Sequence, residues 1–263
     1  MRFKSWALTL CYGLAGILVL VAVWSVLAAT HPGTARFPSL LFIAETIDEN
    51  LWNSAAIAYA SFGTGGIVSN VLSTAVNVLI AVAVGLVVGY AVGIALVRSR
   101  RLANLSSLSI ALLGTLPVLV LHPFLTLWFG VSQIAMGGMV VFYTILTIIE
   151  AVRSSTARAQ DRWGDYSASL GLSGPGFITS VLVPASLPAT LGTARAAVAF
   201  GWGFQALAEV LGGASGAGRL VRTFADATNT AGVIGVLICL GIVALITDAV
   251  IAALGKWAVR WNE

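Results

Sequence analysis

Charge is what this sequence has least of: Lys, Arg, Asp and Glu make up 9% of its 263 residues. Soluble domains carry about 25%, so a water-exposed globular fold is excluded. Cysteine is almost absent. Cys11 and Cys239 each sit alone inside an apolar run, which removes a disulfide framework and a thiolate metal site. The two histidines, His31 and His122, have no second ligand at metal spacing and no catalytic partner, so neither a metal centre nor a His-based catalytic constellation is expected. No Gly-x4-Gly-Lys-Ser/Thr loop exists. Gly255-Lys256 lacks both the earlier glycine and the following hydroxyl, so no phosphate loop of this type is expected in the chain.

What is present is oil: 59% of residues are hydrophobic and the mean hydropathy is +0.97. Apolar runs at 7–29, 69–97, 107–127, 134–150, 189–211 and 230–254 match the roughly 20 residues needed to cross a hydrocarbon core of about 30 Å. In lipid the backbone must satisfy its own hydrogen bonds, and the alternation of a membrane barrel is missing, so the expectation is an all-α polytopic protein with six transmembrane helices. The first run could be a cleaved signal peptide, since Val26-Leu27-Ala28 resembles a cleavage site. Its extent, Trp6 to Ala29, exceeds the about 7–15 residues of a signal h-region and favours a retained helix.

Arg2, Lys4, Arg98, Arg100, Arg101, Arg153, Arg158, Arg162, Lys256 and Arg260 all fall on one side of this layout. The positive-inside rule makes that side, and both termini, cytoplasmic. The +4 net charge is thus a topology signal; its scattered loop positions offer nothing to nucleic acid. The organisation expected is residues 1–66 as an N-terminal helix plus an external amphiphilic segment, 67–254 as a five-helix core with a cytoplasmic loop at 153–188, and 255–263 as a tail. Within the external segment, Phe37 to Leu51 interleaves apolar residues with Glu45, Asp48 and Glu49, predicting an interfacial helix after Pro38. Ser61 to Gly66 reads as a flexible approach to the second span.

Inside the spans, Gly85, Gly89 and Gly93 lie four apart on one helical face and permit close packing of a neighbouring backbone. Pro117 and Pro123 interrupt the third span, and Trp128-Phe129-Gly130 closes it as an interfacial anchor. Three ionisable residues lie within apolar runs, where charge requires a partner or a polar cavity: Arg195, Glu209 and Asp248. Arg195 and Asp248 fall at similar depth on sequential helices and are expected to pair. Glu209, roughly 21 Å further along, either faces a gate or reaches the outer interface. Asn77, Tyr90, Thr115, Tyr143, Thr144, Trp202 and Gln205 are candidates for a translocation lining, though the same side chains can hydrogen-bond between helices.

One stretch departs from the rest. Arg153 to Ser186 is a polar island containing Asp165-Tyr166-Ser167, Gly171 four residues past Ser167, and Val181-Leu182-Val183-Pro184. Tyr166 and Leu170 are one helical turn apart, Gly171 can end the helix, and Gly174-Pro175-Gly176 turns the chain before Phe177, Ile178, Val181 and Leu182 pack back. Pro184 and Pro188 then open the fifth span. An ordinary solvated loop leaves the glycine-to-proline spacing unexplained.

That spacing resembles the EAA signature of binding-protein-dependent ABC importer permeases, a Glu-Ala-Ala triplet followed by a glycine and an Ile-x-Leu-Pro. Leu187-Pro188, Arg195, Glu209-Val210-Leu211 and Ser215-Gly216-Ala217-Gly218 resemble the downstream pattern, and Leu116-Pro117, Pro123 and Trp128-Phe129-Gly130 the upstream one. The nearest branch is the nitrate, taurine and alkanesulfonate type. The resemblance implies a type I (MetI-like) permease fold in a bacterial plasma membrane. It implies a second permease subunit, identical or not, two ATPase subunits holding ATP and Mg, an external substrate-binding protein, and no cofactor in this chain. It makes Asp165, Tyr166, Ser167, Leu170, Gly171, Val181, Val183 and Pro184 the ATPase-coupling residues and implies a small polar or anionic solute. Asp165-Tyr166 in place of Glu-Ala shortens the acid and adds a ring, so the docking surface must differ. A secondary transporter or channel is the alternative, but matching broken helices in two halves are not seen; an intramembrane enzyme ranks third.

Overall fold

The computed structural model describes residues 2–31, 36–54, 58 and 65–258, and among these every regular element is a helix. Ser61–Thr64 and Arg260 lie outside the described residues, as do the side chains of Arg2, Lys4, Cys11 and Lys256. The chain divides into two compact units, Met1–Val68 with Leu220–Cys239, and Ser69–Arg219 with Leu240–Glu263.

The first unit opens with α1, Arg2–Thr30, whose stretch Ala15–Thr30 is apolar. The interfacial helix expected after Pro38 is α2, Leu40–Asn50. Ser39 caps it by accepting the Phe42 N–H at 3.2 Å, and the Trp24 indole donates to the Pro38 carbonyl at 3.0 Å. The face of α2 carrying Ile43 and Thr46 is buried, and Ile47 lies where a side chain on Gly235 would go.

The second unit holds most of the bundle. Helix α3 spans Ile67–Arg98, α4 Arg100–Thr115, α5 Leu121–Phe129 after a 3-10 turn at Val118–Val120, and α6 Gln133–Ser169. A short α7, Gly174–Phe177, runs through a π-turn at Ile178–Leu182 into α8, Val183–Gly212. Two further helices, α9 at Ala217–Asp226 and α10 at Thr230–Ala258, are shared between the units, since Leu220–Cys239 belongs to the first. Four segments are long and apolar enough to cross a membrane: Ile67–Arg98, Gln133–Ser169, Gly174–Gly212 and Thr230–Gly255. A fifth is α4 together with Val118–Phe129 if that bent pair is one span.

The third expected span is therefore not straight but broken by 86°. Steric conflict with a following proline drives the preceding residue out of the helical region; Leu116, before Pro117, is extended at ψ 128°. Pro123 breaks nothing, because it lies in the first turn of α5, where its missing N–H has no intrahelical partner to lose. Pro184 likewise sits in the first turn of α8, while Pro188 is accommodated inside it.

The glycine stripe has an intramolecular explanation. A Cβ on Gly85 would lie 2.6 Å from the Thr144 Cβ, on Gly89 2.9 Å from the Ile145 carbonyl oxygen, and on Gly93 2.9 Å from the Val152 Cβ. Helix α3 thus lies backbone-close along α6. Val78, Ala81 and Val82 of α3, Val140 of α6, and Ala197, Val198 and Trp202 of α8 form the central core, flanked by Leu240, Val243, Ala244 and Ile251 of α10.

Candidate functional site

The first part of the polar island, Arg153 to Ser169, continues the preceding helix. Helix α6 runs 37 residues without interruption from Gln133 to Ser169, because Arg153 to Ser169 contains no proline and its polar residues still favour helix. Gly171 ends it. With φ +76°, Gly171 donates its N–H to Ala168 at 3.0 Å while Leu172 donates to Ser167 at 2.9 Å, the reciprocal pair of a Schellman cap. A side chain at that φ is strained by roughly 1–2 kcal/mol.

This geometry presents one face outward. Trp163, Tyr166 and Leu170 are 47%, 62% and 62% exposed, with the Trp163 and Tyr166 rings edge to face at 6.4 Å. Asp165 is exposed beside them and Ser167 is buried. Beneath the tip, Ala159, Phe177 and Leu182 form an apolar anchor with Val97, Ile178 and Val181 against it. Val183 and Pro184 are half-buried. A cavity of about 760 Å³, lined among others by Leu96, Arg153, Gln160 and Phe177, lies behind this anchor. The island is thus an exposed apolar tip on a helix fixed at its base. Trp163, unremarked in the sequence, belongs to that tip; its i, i+3 spacing from Tyr166 was the available signal.

A second constellation forms around Glu209, 1% exposed. Its carboxylate accepts from the Thr74 hydroxyl (2.8 Å to Oε2), the Gln205 amide (3.0 Å to Oε1) and the Gly218 N–H (3.0 Å to Oε2). Thr74 in turn accepts the Ala217 N–H at 2.9 Å, and the Asn70 side chain accepts the Gly216 N–H at 3.1 Å. Glu209 therefore ties α3 and α8 to the first turn of α9. Anionic groups are favoured at such a turn because its N–H groups are otherwise unmatched. The small residues of Ser215–Gly218 follow from this: a Cβ on Gly216, at φ +103°, would overlap the Glu209 carboxylate, and one on Gly218 the Ala206 carbonyl. Glu209 is enclosed and matched by donors. Thr74 was missed, since a threonine in an apolar run gives no sign of which helix it faces.

The third feature is an ion pair between the two long apolar helices α8 and α10. Arg195 donates through Nε to Asp248 Oδ1 at 2.5 Å and through Nη2 to Oδ2 at 2.6 Å. The expected pairing of α8 with α10 is present in bidentate form, the strongest geometry available to these two groups. Both side chains stay partly open, 49% and 38% exposed.

The lining candidates separate. Thr144, Trp202 and Gln205 are buried in the packing between helices, Thr144 donating to the Val140 carbonyl at 2.7 Å. Tyr143 is half-buried against Phe200 and Phe204, with ring centroids 5.5 and 5.2 Å away. Asn77 donates to Gln133 at 2.7 Å, and Tyr90 meets the Ser186 hydroxyl at 3.1 Å. Thr115 is exposed at the break before Pro117. Among the described residues no group of three or more His, Cys, Asp and Glu side chains could hold a metal ion.

Residues 81–260 match the family described as binding-protein-dependent transport system inner membrane component. The chain is similar to the aliphatic sulfonates transport permease protein SsuC of Escherichia coli (strain K12), 27% identical over 154 residues covering 59% of each chain. It is also similar to the SsuC protein of Bacillus subtilis (strain 168), 25% identical over 159 residues. The chain spans 59% of the first relative's length and 56% of the second's. Its fold resembles a chain of the MetNI methionine ABC transporter in an inward-facing conformation, with a TM-score of 0.63 at 19% identity over 80% of this chain and 99% of that one. A chain of an amino acid ABC transporter solved with histidines gives 0.59 at 16% identity, covering 74% and 92%.

Proposed function

Because the chain belongs to the family of binding-protein-dependent transport system inner membrane components, we propose that it is the permease subunit of an ATP-binding-cassette importer of the nitrate, taurine and alkanesulfonate branch. The family is one of transport components, not enzymes. In this reading the chain forms half of a translocation pathway with a second permease subunit and receives a small polar or anionic solute from an external binding protein. Two ATPase subunits supply ATP hydrolysis with Mg. Both termini and the island 153–188 are cytoplasmic, in line with the one-sided distribution of Lys and Arg. Residues 67–254 act as the permease core, preceded by the N-terminal segment 1–66.

The observation that carries this reading is the form of α6. One helix long and apolar enough to cross a bilayer continues to a capped, apolar tip, so force applied at Tyr166 and Leu170 moves the membrane segment as a rigid rod. Within the bilayer that rod packs backbone-close against the glycine stripe of α3. Interfaces of this density shift between discrete packings rather than deform smoothly, which suits a switch between inward-open and outward-open states driven by closure of an ATPase pair. Asp165, Ser167, Gly171, Val181, Val183 and Pro184 shape and anchor the tip. Tyr166, where the family signature has alanine, enlarges the surface offered to the ATPase. It therefore selects a partner with a matching cleft.

A single cysteine tests this. With Cys11 and Cys239 replaced by alanine, Tyr166→Cys should react with an impermeant maleimide only from the cytoplasmic side and crosslink to an ATPase subunit co-purified in mild detergent. Labelling from outside, or a purified assembly with no ATPase, refutes the reading.

A further inference from the structure

Arg195 is the only cation within the apolar stretches 69–97, 134–149, 189–211 and 230–254, and most of its hydrogen-bonding capacity is unused. Asp248 engages the Nε and Nη2 edge; among the described residues no acceptor meets Nη1. A guanidinium has five N–H donors, so the Nη1 edge remains available. The surroundings leave room for it. Ala196 and Ala199 are exposed, and a Cβ built at Gly192 or Gly203 meets nothing within 4 Å. Open space therefore flanks the guanidinium on α8 in both directions. Glu209, the other charged residue of that helix, is enclosed and fully engaged.

Charged side chains within spans face a partner or a water-filled cavity rather than lipid. A paired guanidinium left this open on one edge fits a polar passage on that side. Asp248 also sets the chemistry of the site. An isolated guanidinium in a low-dielectric passage would hold an anion too tightly to release it, whereas a carboxylate on the inner edge fixes the orientation and offsets the attraction. Solute can then bind and leave, as conduction requires.

Building on the permease reading above, the geometry points to the outward Nη1 edge of Arg195, oriented by Asp248, as a contact site for the oxyanion group, sulfonate or carboxylate, of the transported solute. Asp248 is a positioning residue here. The solute anion lies in the open trough along Gly192, Ala196, Ala199 and Gly203.

The test uses the assembled importer in proteoliposomes, with Cys11 and Cys239 replaced by alanine and Ala199→Cys introduced one turn from Arg195. The thiol probe is 2-sulfonatoethyl methanethiosulfonate; the protecting solutes are ethanesulfonate, propionate and uncharged propionamide. The introduced thiol should be modified. At ten times its half-saturating concentration, one of the two anions should slow modification roughly tenfold by mass action, while propionamide does not. The doubly neutral Arg195→Gln/Asp248→Asn variant, which strands no charge, should lose that protection. Three results overturn the site: no modification, meaning that lipid or a second copy covers the face; no protection by either anion; or protection that persists in the double variant. ATP-dependent uptake by the same vesicles reports on the permease reading separately. Uptake without protection removes this site alone; absent uptake removes the reading on which it rests.

Discussion

Thr74→Val is the sharpest probe of the Glu209 constellation because it changes one hydroxyl to a methyl at a fully buried position. The hydroxyl donates to Glu209 at 2.8 Å and accepts the Ala217 N–H at 2.9 Å. A hydrogen bond to a charged group contributes about 1.5–3 kcal/mol, and stranding a buried N–H costs about 1–3 kcal/mol. Partial relaxation keeps the sum below the two maxima, so a loss of about 3 kcal/mol is expected. For a chain of this size 1 kcal/mol corresponds to roughly 2–4 °C in Tm, which places the detergent-solubilised variant about 6–12 °C below the parent. Glu209→Ala should also destabilise, by leaving Gly218 N–H and the Gln205 amide without their acceptor. Since both changes remove the same contact, their effects should fall short of additivity by about 1–3 kcal/mol. Thermal unfolding followed by tryptophan fluorescence measures all three variants. A shift below about 2 °C for Thr74→Val, or strictly additive losses, would refute the assignment of Glu209 as the tie between α3, α8 and α9.

Three further outcomes are expected. Gly171→Val forces a β-branched side chain into the left-handed region and should abolish solute-stimulated ATP hydrolysis by the assembled complex while leaving membrane insertion intact; unchanged coupling argues against the island as a docking element. Gly89→Leu would drive a side chain against the Ile145 carbonyl, a backbone atom that cannot swing aside, and overpacking of about 1–3 kcal/mol or more should lower the yield of folded protein on size-exclusion chromatography. Arg195→Ala should reduce the amount of chain in the membrane, and Asp248→Ala in the same chain should partly restore it, because removing both charges is less unfavourable than stranding one. Immunoblots of membrane fractions check this, and independent losses would remove the pair as a structural unit.

Much of the layout was legible in the residues because lipid is a severe solvent. Apolar run length located the four straight spans, and charge that cannot stand alone in hydrocarbon led directly to Arg195 and Asp248, whose depth along their helices matched. The glycine-to-proline spacing in the island identified its turn, and Gly171 holds the left-handed conformation that such a stop requires. Other features stayed hidden for identifiable reasons. Pro117 announced a break, but the 86° change of direction depends on what Val118, Leu121 and Leu125 pack against, and those partners, Met136, Met139 and Ala208, lie far along the chain. That α6 is one unbroken helix stayed hidden because hydropathy falls at Glu150, whereas the helix continues to Ser169.

Hydropathy reports the solvent a segment lives in, and helix-stop chemistry reports where its backbone hydrogen bonding ends. The residue string states both directly, so it determined that this chain is an all-helical membrane protein with a glycine-stopped turn between two of its long apolar helices. What it left undecided is which atoms meet. Thr74 lies 135 positions from Glu209, and buried polar groups must find partners wherever the bundle brings them. Only the packed helices settled that Glu209 is enclosed by donors while Arg195 keeps one edge open.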